Sequence, residues 1–77
     1  MKAHELLSDP RRFISGTLEK DGRYDCLGAL LKCYPDSEKR APIAKEVFSL
    51  CQSRHGHKRL GRLTYEDALS LLKDCDV

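Results

Sequence analysis

The sequence predicts a mainly α fold: one small domain over residues 1–77, a bundle of about four helices, with an irregular or short hairpin segment near residues 12–24. Three observations carry that prediction. Apolar residues recur at helical spacing in four separate stretches. Residues that start or stop helices flank those stretches. The one turn signal that favours strands, Asp21-Gly22, lies in the only part without helical periodicity.

The first helix is short. Ala3, Leu6 and Leu7 share a face over residues 2–8, and Ser8-Asp9-Pro10 ends it. From Arg11 to Asp25 the pattern loosens. Phe13-Ile14 and Thr17-Leu18 favour extended backbone, Gly16 interrupts, and Asp21-Gly22 supplies a hairpin turn. A two-stranded hairpin is marginal in water, so it has to lie on the helices. Asp25 suits the cap of a second helix that runs to about Cys33, where Tyr34-Pro35 ends it. This is the most apolar run of the chain, and Gly28 and Ala29 leave room for a close neighbour. The third helix is expected to start at Pro42, a residue tolerated in a first turn, and to stop at Gly56. Ile43, Ala44, Val47, Phe48, Leu50 and Cys51 form its apolar stripe. The last helix begins at Thr64, with Glu66 and Asp67 near the positive end of its dipole. The expected core is Leu6, Leu7, Leu27, Leu30, Leu31, Ile43, Val47, Phe48, Leu50, Leu69 and Leu72.

Composition narrows the function classes. A 77-residue chain is one domain. At this size roughly 60% of the unfolded surface is buried, so stability rests on a single core. A homodimer is compatible with such a core. The formal charge of +2 is too small to define a partner class by itself. No apolar run approaches the ~20 residues of a membrane span. Residues 1–8 carry no signal-peptide pattern, and no membrane partner is expected. A cytoplasmic location with reduced thiols follows as an expectation. Cys26, Cys33, Cys51 and Cys75 all fall at apolar helical positions, where they read as small core residues.

Three groups of residues invite chemistry. The first is metal binding by the four cysteines and three histidines. Structural zinc sites use closely paired ligands, and the cysteine gaps here are longer. Cys51 and His55, one helical turn apart, make the best partial set, and no metal or other cofactor is expected. The second is a reactive thiol at Cys26, which opens a helix, although Asp25 beside it opposes thiolate formation. A buried small residue is the simpler reading, and no catalytic residue is assigned. The third is the loop 54–62, with Arg54, Lys58, Arg59 and Arg62, His55 and His57, and no acid. Arg11 and Arg12 are expected to join it if the fold brings the two segments together. Such a patch suits an acidic protein surface. It also suits phosphates, although the loop has no aromatic residue for base stacking. Tyr34 and Tyr65 read as rim-of-core residues rather than interface anchors.

Phe13-x-x-Gly16, Asp21 leading to Cys26, the run Cys26-Leu27-Gly28-Ala29-Leu30, and Leu63-Thr64-x-Glu66-Asp67-x-x-x-Leu71-Leu72 together resemble a family of small uncharacterised helical proteins of actinobacteria and their phages. Its members share a core element leading from a cysteine into Gly-Ala-Leu, and a Thr-capped last helix. The resemblance spans about Leu6 to Val77. Phe13 stands where that family usually has tryptophan, and the basic His-rich loop replaces its usual Trp-Asn-Asp segment. The resemblance implies a helical domain, often phage-borne, and no particular activity. The leading expectation is a non-enzymatic protein-binding accessory module of a phage or mobile element. It would occupy a surface of a host protein complex and inhibit host defence machinery. The alternatives are a nucleic-acid binder using loop 54–62, and a metal-binding protein or thiol enzyme.

Overall fold

The computed structural model describes residues 1–77. The fold is mainly α, with four helices, one two-stranded hairpin and two single turns of 3-10 helix. Helix α1 (Ala3–Leu6) is a single turn, closed by the Lys2 backbone N–H donating to the Glu5 carboxylate at 3.0 Å. A 3-10 turn follows at Pro10–Arg12. The Asp9 carboxylate holds it by accepting from the Arg11 backbone N–H at 3.0 Å.

The hairpin forms where the Asp-Gly pair predicts it. Strand β1 (Glu19–Lys20) pairs antiparallel with β2 (Arg23–Tyr24), Glu19 opposite Tyr24 and Lys20 opposite Arg23. Asp21 and Gly22 have φ of 52° and 74°. A two-residue turn that matches strand twist needs positive φ at both positions, which Asp and Gly tolerate. The hairpin does not stand alone. Ile14 donates its N–H to the Tyr24 carbonyl at 3.1 Å, and the Asp25 N–H reaches the Thr17 carbonyl at 3.2 Å.

Helix α2 (Cys26–Cys33) is the hub. Asp25 caps it, its Oδ1 accepting from the Gly28 N–H at 2.7 Å. Cys26, Gly28, Ala29 and Leu30 are buried. Gly28 explains how closely the preceding segment lies on this helix: a Cβ there would sit 1.8 Å from the Leu18 carbonyl oxygen. No other residue fits without moving backbone.

Helix α3 runs from Ser37 to His55, five residues longer at its start than Pro42 implies. Asp36 is the cap, accepting from the Glu38 N–H at 3.0 Å. The Arg40 guanidinium also donates to the carbonyls of Tyr34 and Pro35, at 2.8 and 3.2 Å. These bonds stabilise the early start, so Pro42 lies inside the helix. Gly56 ends it with φ +64°, its N–H on the Gln52 carbonyl at 2.9 Å. Only Val47 and Cys51 of this long helix are buried.

Helix α4 (Tyr65–Asp74) starts at Thr64, whose hydroxyl accepts from the Asp67 N–H at 3.2 Å. It buries Ala68, Leu71 and Leu72. The two ends of the chain meet beside it: the His4 N–H donates to the Val77 carbonyl at 3.1 Å and the Lys2 ammonium pairs with Asp76 at 2.6 Å. Tyr65 stacks edge-on to Phe13 and donates its hydroxyl to the Ser8 carbonyl.

The core departs from expectation in a consistent way. Leu6, Leu7, Leu30, Val47 and Leu72 are buried as expected. Leu27, Leu31, Ile43, Leu50 and Leu69 are half-buried, and Phe48 is 46% exposed. In their place the core takes Ala3, Tyr24, Leu60, Leu63, Ala68, Leu71 and Val77, with Cys26, Cys51 and Cys75. Small residues at the helix contacts let helices approach, and Leu60 and Leu63 fill the gap under the loop. Each fully buried leucine contributes about 1.5–3 kcal/mol. No helix is long and apolar enough to cross a membrane.

Candidate binding groove

An open groove of about 590 Å³, one of two of similar volume, lies between the loop after α3, the segment before β1 and the start of α2. Three chemical parts line it. Leu18, Leu27 and Phe48 form an apolar wall. Lys58, Arg59 and Arg62 form a cationic side, with His57 and Gln52 beside it. Asp25 lies on the floor.

Backbone contacts position these parts. The Gly16 N–H donates to the Gly61 carbonyl at 2.7 Å and stitches the segment before β1 to the 3-10 turn Leu60–Arg62. Two glycines allow this approach. A Cβ on Gly61 would lie 2.8 Å from Asp25 Oδ2, and one on Gly16 would lie 3.0 Å from the Arg62 guanidinium. Arg62 therefore lies across bare backbone. The loop is tied back to α3 by the Cys51 thiol, which faces the Lys58 carbonyl at 3.8 Å. Leu60 anchors it from below, buried against the core.

The electrostatics are lopsided. The ion pairs of the molecule are Lys2–Asp76, Arg11–Asp9 and Arg54–Asp74, and none involves Lys58, Arg59 or Arg62. These three charges project into the groove without an acidic partner. Asp25 is the opposite case, a carboxyl only 3% exposed. Burial pushes its pKa up, and the backbone N–H groups of Gly28 and Leu27 partly oppose that rise.

The structure separates the residues expected to act together. His57, Lys58, Arg59 and Arg62 line the groove. Arg54 turns away to pair with Asp74 on α4, and His55 sits half-buried at the end of α3 without lining the groove. Arg11 folds back onto Asp9 in the Pro10–Arg12 turn, and neither it nor Arg12 lines the groove. Leu18, Phe48, Asp25 and Gly16 were not expected there. For Phe48 a signal existed: it lies about 100° round the helix from Val47, at the margin of the stripe. Asp25 reads in sequence only as a cap, which it also is.

The thiols are held in their protonated form. Burial raises the pKa of Cys26, Cys33, Cys51 and Cys75, and the neighbouring Asp25 charge adds to the rise at Cys26. No three His, Cys, Asp or Glu side chains converge as metal ligands would. The groove thus offers apolar area, unpaired cations and one buried acceptor, which are means of recognition. Comparison of the chain with known protein families, curated proteins and solved structures finds no match.

Proposed function

We propose that this chain is a non-enzymatic protein-binding accessory module that captures an acidic segment of a partner protein in the groove. One observation carries the reading. Leu18 and Phe48, 48% and 46% exposed, are the two large apolar side chains inside the fold that remain open to water. Both stand in the groove that holds the unpaired Lys58, Arg59 and Arg62. Apolar area at the centre with charge around it is the anatomy of a recognition site. The cations select a partner rich in Asp and Glu and speed its approach. The resemblance of Cys26-Leu27-Gly28-Ala29-Leu30 and the Thr64-capped helix to proteins of actinobacteria and their phages supports a phage or mobile-element origin. In that setting the module acts in the host cytoplasm and occupies a surface of a host complex, with inhibition of host defence as the consequence.

The test uses three variants and a partner isolated from host lysate on the wild-type protein. Charge reversal of Lys58, Arg59 and Arg62 together, and Phe48→Ser separately, should each abolish binding of the purified partner while circular dichroism stays unchanged. Arg54→Glu should leave binding intact, because Arg54 is turned away to Asp74. Binding that survives both groove variants rejects the reading.

A nucleic-acid reading has one observation in its favour. The fold sets Phe48, an aromatic side chain, beside a basic loop that has none of its own. Anisotropy titration of a labelled single-stranded oligonucleotide at two salt concentrations tests it. Binding that falls steeply with salt supports it, and no binding at low salt ends it.

A further inference from the structure

Asp25 is the sole buried charged side chain of the molecule. Its Oδ1 accepts from the Gly28 N–H, and its Oδ2 faces the bare Cα of Gly61 on the groove floor. A cap needs only the first oxygen, and Ser, Thr or Asn would serve as well there. A carboxylate is acceptor-only, so whatever fills the floor beside Oδ2 must bring a donor. That donor cannot be a cation without facing Lys58, Arg59 and Arg62. It cannot be a carboxylate without facing Asp25 itself. An uncharged N–H or O–H group meets both conditions.

We infer that Asp25 is a specificity-determining residue of the groove, requiring the captured acidic segment to place an uncharged donor side chain (Asn, Gln, Ser or Thr) next to its apolar anchor and excluding Asp and Glu from that position. The inference rests on the peptide-capture reading above. The occupant is then ordered by chemistry: carboxylates toward Lys58, Arg59 and Arg62, an apolar side chain against Leu18 and Phe48, and the neutral donor on Asp25. Gly61 belongs to the device, because a side chain there would cover Oδ2.

A random-peptide library displayed on phage provides the probe. It is selected against wild type and against Asp25→Asn, which keeps the capping oxygen and replaces the second acceptor by an amide. Asp25→Ser, also a good cap, is the substitute if the amide variant loses its circular dichroism signal. Synthetic peptides from the wild-type selection are then compared with copies carrying Asp in place of the neutral donor, by fluorescence anisotropy. Wild type should prefer the neutral peptide by about tenfold or more, the scale of a like-charge contact. Asp25→Asn should reduce that preference to about threefold or less. Acidic peptides selected with no neutral-donor position, or a preference unchanged in Asp25→Asn, overturn the inference and leave the capture reading standing. Failure to enrich any acidic peptide overturns both, and an oligonucleotide bound by the same protein then assigns the groove to nucleic acid.

Discussion

Helices α2 and α3 solve opposite problems. Helix α2 has eight residues and buries Cys26, Gly28, Ala29 and Leu30. Helix α3 has nineteen and buries only Val47 and Cys51. The short helix is held by neighbours on several sides, down to the Leu18 carbonyl lying over Gly28. The long one is held largely by its own hydrogen bonds, by the Asp36 cap and by Arg40 on the preceding carbonyls. A short helix is marginal alone and depends on packing, whereas a long one propagates cooperatively once started. The consequence is a division of labour. Helix α2 sets the geometry of the fold, and α3 spares a side chain as large as Phe48 for the groove.

If that contrast holds, equal changes should have unequal effects. Leu30→Ala on α2 removes a fully buried side chain and should destabilise the domain by about 2–5 kcal/mol in urea unfolding. Leu50→Ala on α3, where the side chain is half-buried, should cost less than half of whatever Leu30→Ala costs. Equal losses would mean that α3 is as deeply integrated as α2. Next in size, Gly28→Ala forces Cβ against the Leu18 carbonyl, and should cost about 1–3 kcal/mol despite alanine's better helix propensity. A neutral result would show that the segment before β1 is not seated on α2.

Smaller effects sharpen the comparison at α3. Asp36→Ala removes its cap and should cost about 1 kcal/mol, with faster hydrogen exchange confined to residues 37–42. Phe48→Ser should change stability by no more than about 0.5 kcal/mol, as at an exposed site. A large loss would return Phe48 to the core and remove the apolar wall of the groove. The last test is of sign rather than size. Folding raises the Asp25 pKa above its ordinary value of 3.8, so the folded state holds that proton more tightly than the unfolded one. The resulting stabilisation is present below the unfolded pKa and is lost as pH rises through the folded one. Asp25→Asn does not titrate, so its stability relative to wild type should improve as pH rises through the unfolded and then the folded pKa of Asp25, and level off above the folded one. An Asp25→Asn variant that loses stability relative to wild type as pH rises would contradict the burial of this carboxyl.

Much of the local structure was legible. Asp21-Gly22 announces the hairpin, Asp25 and Thr64 announce caps, and Gly56 announces a stop, because each acts on backbone within a few residues. The early start of α3 was missed because Pro42 resembles a first-turn proline. Asp36 and Arg40 outweigh that signal, and the arginine does so by reaching back to Tyr34 and Pro35. The loop was legible as basic but not as anchored: Leu60 and Leu63 sit in it like ordinary linker residues, yet both are buried. Of the residues expected to act together, Lys58, Arg59, Arg62 and His57 share the groove. Arg54 and Arg11 are drawn elsewhere by Asp74 and Asp9. Those ion pairs could not be read from spacing, since Arg54 and Asp74 are 20 positions apart.

By itself the amino-acid order determined the caps of α2 and α4 and the stop of α3, where the chain reverses, and that one loop concentrates positive charge. These are short-range matters of dihedral preference, capping and periodicity. Only the tertiary structure decided that Phe48 would face water, that Leu18 would join it, and that Asp25 would line the same groove as Arg59 and Arg62. Those outcomes depend on how segments distant in sequence fill space together, and a side chain at the margin of an apolar stripe goes inward or outward according to what its neighbours leave room for.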